Sequence, residues 1–246
     1  MQFDIISIEK QHKGAFDNGA IIENKPLAFP QESGRKPYSN IFYWSNASSE
    51  KGGLIDLHPH KGFEIVSVIL KGTIQHYDTA NDKWFELNEG DVQLIKAGSG
   101  ISHAEKLLPG SRLFQIWFDP GFQNSFGKPP EYKDFDKGKF LIEEFPEYTS
   151  VIINTPESGL SLDSPGITMK DTIYNAGTFK MDKDPDNYNT IYVIQGNFTL
   201  NGEKVKTDDC IIVHDTEIEF NFTEQTRLFT IQSPEKVPYK RFHELF

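Results

Sequence analysis

Apolar and polar positions alternate in short runs with a period near two, and almost nowhere with the 3.6-residue period of an amphipathic helix. The runs are rich in β-branched and aromatic residues: EIVSVIL (64–70), GTIQHY (72–77), DVQLIKA (91–97) and SRLFQIWF (111–118) in the first half. NTIYVIQ (189–195), GNFTLNG (196–202), CIIVH (210–214), EIEFNF (217–222) and TRLFTIQ (226–232) follow in the second. Clusters of Gly, Asn, Asp and Pro separate them. Many short strands with regular turn signals predict an all-β sandwich or barrel.

The pattern also repeats. VILKGTIQHYD (68–78) aligns with YVIQGNFTLNG (192–202), EGDVQLIKAG (89–98) with TDDCIIVHD (207–215), and SRLFQIWF with TRLFTIQS (226–233). Gly72 matches Gly196, Asp91 matches Asp209 and Arg112 matches Arg227, at offsets of 124, 118 and 115. Strand order kept while loops contract marks a duplicated domain. The Pro-, Gly- and charge-rich segment 120–138 reads as the linker. The expectation is two tandem barrels, 1–132 and 133–246.

Composition narrows the setting. The 246 residues carry 25 Lys+Arg against 36 Asp+Glu, a net charge of −11. That balance argues against direct binding of nucleic acid or an anionic membrane surface, both of which need clustered basic charge. The single cysteine, Cys210, excludes an internal disulfide framework, and the N-terminus has no apolar stretch of signal-peptide length. A cytoplasmic location is expected.

The histidines carry the chemistry. His58 and His60 form HPH, and some 43 positions on His103 and Glu105 form HAE after the loop AGSGIS. In an extended chain i and i+2 project to one face, so each pair aims both side chains at one point. Together they offer three neutral imidazoles and a carboxylate, a set suited to a first-row divalent metal. His76, in the hairpin GTIQHYD, reads as structural; His214 aligns with Lys96 and reads as surface, and His12 and His243 carry no signal. At the same offsets the second half has Asp182, Asp184, Asn221 and Thr223, so its barrel is expected to be metal-free. No Ser-His-Asp arrangement or phosphate-binding glycine loop is present in the pattern.

HPHKGFEIVSVILKGTIQHYD followed by GDVQLIKAGSGISHAE closely resembles the pirin family of the cupin superfamily, over roughly residues 50–122. The resemblance implies two tandem cupin barrels, the second degenerate, in a divergent bacterial-type member. Carried over residue by residue, it implies His58, His60, His103 and Glu105 as metal ligands. Glu105 is then also the candidate catalytic residue. Glu64, three to four residues beyond HPH as in many cupins, becomes a hydrogen-bonding partner behind the ligands. One divalent ion per chain is expected, iron foremost, with manganese, nickel, copper or zinc compatible. Upstream, PYSNIFYW stands where a DPF(L/M)xLD-like stretch is typical of pirins.

Two functions follow from that resemblance. One is a quercetinase-type dioxygenase acting on a flavonol or related enol, with dioxygen as co-substrate and apolar walls drawn from Phe63, Ile65 or Val66, Leu94, Phe114, Ile116 and Trp117. The other is a metal- or redox-sensing protein that regulates a transcription factor or metabolic enzyme by protein contact.

Overall fold

The alternating runs fold as strands in a computed structural model of the chain, which describes residues 3–245. β1 (Phe3–Ile6) opens the chain, followed by β2 (His12–Phe16), β3 (Ile21–Leu27) and β4 (Ile41–Ser49). β5 (Gly53–His60), β6 (Glu64–Lys71), β7 (Thr73–Asp78) and β8 (Lys83–Asn88) come next. β9 (Val92–Lys96), β10 (Ile101–Leu107), β11 (Ser111–Phe118), the helical turn α1 (Phe122–Ser125) and β12 (Glu131–Phe135) complete the first half. The second half holds β13 (Leu141–Glu144), β14 (Tyr148–Ile152), β15 (Thr168–Tyr174), β16 (Gly177–Met181) and β17 (Asn187–Gln195). It ends with β18 (Phe198–Leu200), β19 (Glu203–Val205), β20 (Cys210–His214), β21 (Ile218–Phe222) and β22 (Thr226–Pro234).

The chain divides into two units with matching sheets. In the N-terminal unit a seven-stranded sheet, β12-β9-β6-β11-β4-β3-β2, is accompanied by a four-stranded sheet, β5-β10-β7-β8. The C-terminal unit repeats the layout with β1-β20-β17-β22-β15-β14-β13 and β16-β21-β18-β19. β9-β6-β11 and β20-β17-β22 hold equivalent places, and these are the strands that the sequence repeat aligns. The architecture is all-β, with two tandem barrels.

Two boundaries differ from the sequence reading. The segment 120–138 is not a free linker: β12 pairs in register with β9 from Glu131↔Lys96 to Phe135↔Val92. Its alternating EYKDF pattern makes a strand despite the polar composition, and a cut at 132/133 would split it. Nor are the units consecutive, because β1 pairs with β20, from Phe3↔Val213 to Ile6↔Cys210. The N-terminal unit comprises Gln11–Gly138, Leu162–Ser164 and Pro238–Phe246, so short segments from late in the chain complete it. There Tyr239 donates its hydroxyl to the Asp119 carbonyl at 2.5 Å, and the Phe242 N–H donates to the Asp119 carboxylate at 2.6 Å.

The two interiors are filled differently. In the C-terminal unit Phe198, Phe220 and Phe222 pack with Ile191, Val193, Leu200 and Val213 into one buried cluster. In the N-terminal unit, Ile21, Ala47, Ile69, Ile74, Leu87, Leu107 and Leu113 close one end of the barrel. Phe42, Tyr43 and Phe63 form a separate cluster against which Phe29, Trp117, Phe122 and Phe242 pack. Space is left between these clusters, and the candidate site lies there. Among the described residues no helix is long and apolar enough to cross a membrane.

Candidate metal centre

β5 and β10 bring the two motifs together by pairing antiparallel, with His103 opposite His58 and Ile101 opposite His60. The register then slips: Glu105 faces Ile55, so Asp56 and Leu57 on β5 together oppose the single Ala104. A bulge of this kind re-aims neighbouring side chains. On its other edge β10 pairs with β7, placing Glu105 opposite His76. After His60 the chain turns at Gly62, whose φ of +82° favours glycine and whose N–H donates to the Gly98 carbonyl at 3.0 Å.

The three predicted imidazoles converge. His103 Nε2 lies 2.7 Å from His60 Nε2 and 2.9 Å from His58 Nε2. Metal–nitrogen bonds of about 2.0–2.1 Å at right angles would separate ligand nitrogens by roughly 3 Å, so the spacing suits one ion. His58 Nδ1 lies 2.7 Å from the Asp56 carbonyl, which can only accept. The proton therefore sits on Nδ1, and Nε2 presents its lone pair to the cluster. Burial pushes the His60 imidazole down to about 3 and His103 well below its usual range, with neighbouring imidazoles adding to both effects. Neutral imidazole is the form that binds metal.

Glu105 sits beside this cluster, grouped with His103 and His76 rather than with all three converging nitrogens. It lines the same cavity as His58 and His60. Gln115 Nε2 donates to its Oε2 at 2.8 Å, while Oε1 is buried with no protein donor. Burial raises the Glu105 carboxyl to about 7, with the Gln115 hydrogen bond opposing. A buried carboxylate oxygen without a donor, next to three imidazole nitrogens that converge on one point, is a donor set fitted to a divalent cation.

Glu64 is elsewhere. Its carboxylate accepts the backbone N–H groups of Asp163 (2.6 Å) and Ser164 (2.8 Å) and the Ser164 hydroxyl (2.6 Å), with Lys96 Nζ at 3.6 Å. The bend at Gly62 resets strand parity, so Glu64 anchors the segment 162–164 and does not support the histidines. His76, read from sequence as structural, lies instead at the site. It is buried, its ring stacks on Tyr132 at 4.7 Å, and its Nε2 is 3.4 Å from Asp78 Oδ2. HYD in GTIQHYD is a third i, i+2 pair, a signal of the same kind as HPH and HAE.

The walls also differ from expectation. The cavity of about 200 Å³ is lined by Phe29, Tyr43, Ile55, Leu107, Leu113 and Trp117, with Glu23, Lys25 and Ser45 also on its surface. Of the proposed wall residues only Trp117 is there, its ring edge-on to His60 at 4.7 Å. On β11 the cavity face is Leu113, Gln115 and Trp117, so alternation turns Phe114 and Ile116 to the opposite face. Phe63 stacks on Phe42, and Ile65 packs with Ile95.

Comparison with known proteins gives a consistent family picture. Residues 30–118 match the family model described as Pirin. The chain is 29% identical over 183 residues to the quercetin 2,3-dioxygenase of Escherichia coli K12, covering 68% of this chain and 71% of that one. It is 44% identical over 85 residues to a pirin-like protein of Caulobacter vibrioides, covering 33% of this chain and 35% of that relative. Among solved structures, the bacterial pirin YhhW of E. coli in complex with nickel(II) superposes with a TM-score of 0.77 at 20% identity, covering 95% of this chain and all of that one.

Proposed function

Because the chain belongs to the pirin family of cupins, we propose that it is a metal-dependent dioxygenase acting on a flavonol or a related enol. The observation that carries this reading is the convergence of three imidazoles, His60 and His103 buried and His58 half-buried, beside a cavity that also presents a carboxylate. His58, His60 and His103 would hold one divalent ion, iron foremost, and Glu105 would complete the set through Oε1. Bound there, such an ion supplies Lewis acidity and a place for dioxygen.

The chain's own residues supply the remainder. Gln115 holds Glu105 Oε2, which fixes the carboxylate against the cavity floor. Glu105, on the cavity surface beside the imidazoles, is the carboxylate placed to take the proton of an enol hydroxyl. Phe29, Tyr43, Ile55 and Trp117 exclude water and offer aromatic faces to a planar substrate. The relatives named for quercetin dioxygenation support the substrate class.

Metal analysis of protein purified without chelators tests the centre, and oxygen uptake with a panel of flavonols and simpler enols tests the activity. Stoichiometric metal in wild type, lost in His58→Ala and His103→Ala, is expected together with enol-dependent uptake. Fully metallated protein that consumes no oxygen with any enol would remove the enzyme reading and favour a metal-sensing protein acting on a macromolecular partner.

A further inference from the structure

The cavity wall carries a buried charge that the proposed chemistry does not use. Glu23 and Lys25 are two apart on β3, Tyr43 and Ser45 two apart on β4, and alternation turns all four toward the cavity. Lys25 Nζ lies 2.9 Å from Glu23 Oε1 and 2.6 Å from Glu32 Oε1. Glu23 Oε2 accepts the Tyr43 and Ser45 hydroxyls, each at 2.7 Å, and Glu32 Oε2 accepts the Phe29 N–H at 3.0 Å. Both carboxylates are therefore fully engaged. An ammonium has three donors, and two are spent on these carboxylates. The Phe29 and Tyr43 rings flank it at 5.3 and 5.5 Å, leaving one N–H on a residue that lines the cavity.

We propose that Lys25 orients the substrate, and that the substrate is an uncharged single-ring enol or catechol bearing a second, neutral acceptor oxygen. This rests on the dioxygenase reading and narrows its substrate. Size sets the ring count. An apolar cavity of about 150 Å³ accommodates benzene, whereas sites for drug-sized ligands run from roughly 300 to 1,000 Å³. At about 200 Å³ this cavity takes one ring, not a fused flavonol with its pendant ring. Charge sets the kind of oxygen. The Lys25 ammonium is already balanced by two carboxylates, so it has a hydrogen bond to offer but no surplus charge for an anion. A carbonyl or hydroxyl fits; a carboxylate does not.

The test is anaerobic calorimetric titration of the metal-loaded chain with 3,4-dihydroxybenzaldehyde, 4-methylcatechol, 3,4-dihydroxybenzoate and quercetin. A hydrogen bond from a charged donor should make the aldehyde bind about tenfold more tightly than 4-methylcatechol, with the benzoate no better than the latter. In Lys25→Met that advantage should fall below about twofold while 4-methylcatechol binds as before. Because Lys25→Met leaves two carboxylates unpaired, Glu23→Gln/Lys25→Met should be titrated beside it, with melting temperature and metal content as controls. A purely structural lysine would weaken all four ligands alike. An aldehyde advantage that survives in both variants, a preference for the benzoate, equal binding of quercetin, or no binding at all would each overturn the proposal. Oxygen uptake is scored separately. Lysine-dependent discrimination without uptake removes the dioxygenase reading and leaves this one; uptake with unchanged discrimination does the reverse.

Discussion

Burial acts oppositely on the two kinds of titratable side chain at the centre. It drives His60 down to about 3 and His76 to about 4, and it lifts Glu105 to about 7. An unfolded chain takes up protons on its imidazoles below about pH 6.5, while folded His60 remains neutral. The unfolded state then binds more protons, so the metal-free protein loses stability as pH falls from 6.5 toward 3. Glu105 works against this, contributing stability below its unfolded value that is lost as pH rises through about 7. His60→Gln isolates one term. Between pH 6.5 and 5 its denaturation midpoint should depend less on pH than wild type, by up to about 1.4 kcal/mol per pH unit. Equal slopes would mean that His60 is already charged in the folded state.

Glu64→Gln makes the complementary case. It should cost about 2–3 kcal/mol through its hydrogen bonds to Asp163 and Ser164, with metal content unchanged. Loss of metal would return Glu64 to the centre. HPH and HAE were legible from sequence because i, i+2 parity holds within a strand whatever its partners do. Glu64 was not, because its direction depends on the turn at Gly62. His76 was recognisable only as a neighbour of Asp78 by the same parity, and its place opposite Glu105 is a matter of register.

At the scale of elements, the strands around the motifs and most of the C-terminal barrel could be read from period-two runs. The segment before residue 50 could not be placed, although β3 and β4 build one wall of the cavity. Which faces meet there is set by pairing between distant strands, and no local pattern encodes it. Turns allow a sharper test. A Cβ on Gly62 would approach the Phe122 ring to 2.3 Å at a φ of +82°, whereas one on Gly100, at +139°, meets nothing nearer than 4.0 Å. Both substitutions carry backbone strain, but only the first adds a clash. Gly62→Ala should therefore cost at least about 2 kcal/mol more than Gly100→Ala, and should lower metal affinity because His60 lies two residues away. Chemical denaturation of both variants decides it, and equal costs would show that Phe122 moves aside freely.

At the scale of the molecule, the two units share a strand layout but not an interior. The C-terminal barrel is packed with phenylalanines, and the N-terminal barrel leaves its middle open between clusters of donors. An ion that binds only the folded state stabilises it by about 2.7 kcal/mol when present at a hundred times its dissociation constant. Chelation should accordingly lower the melting temperature and speed amide exchange in β5, β7 and β10, leaving β17, β20 and β22 as they were. Uniform acceleration in both barrels would mean that the ion does not act locally.

The late segments that complete the N-terminal unit give its formation an order in time. A ribosome has made every strand of that unit by Phe135, yet Tyr239 and Phe242 follow only after about a hundred more residues, roughly 5–20 s at ordinary elongation rates. Through that interval Phe42, Phe63 and Phe122 lack the ring that later packs on them. All three converging imidazoles have already been synthesised by then. The nascent barrel can therefore bring its three imidazoles together before the tail docks.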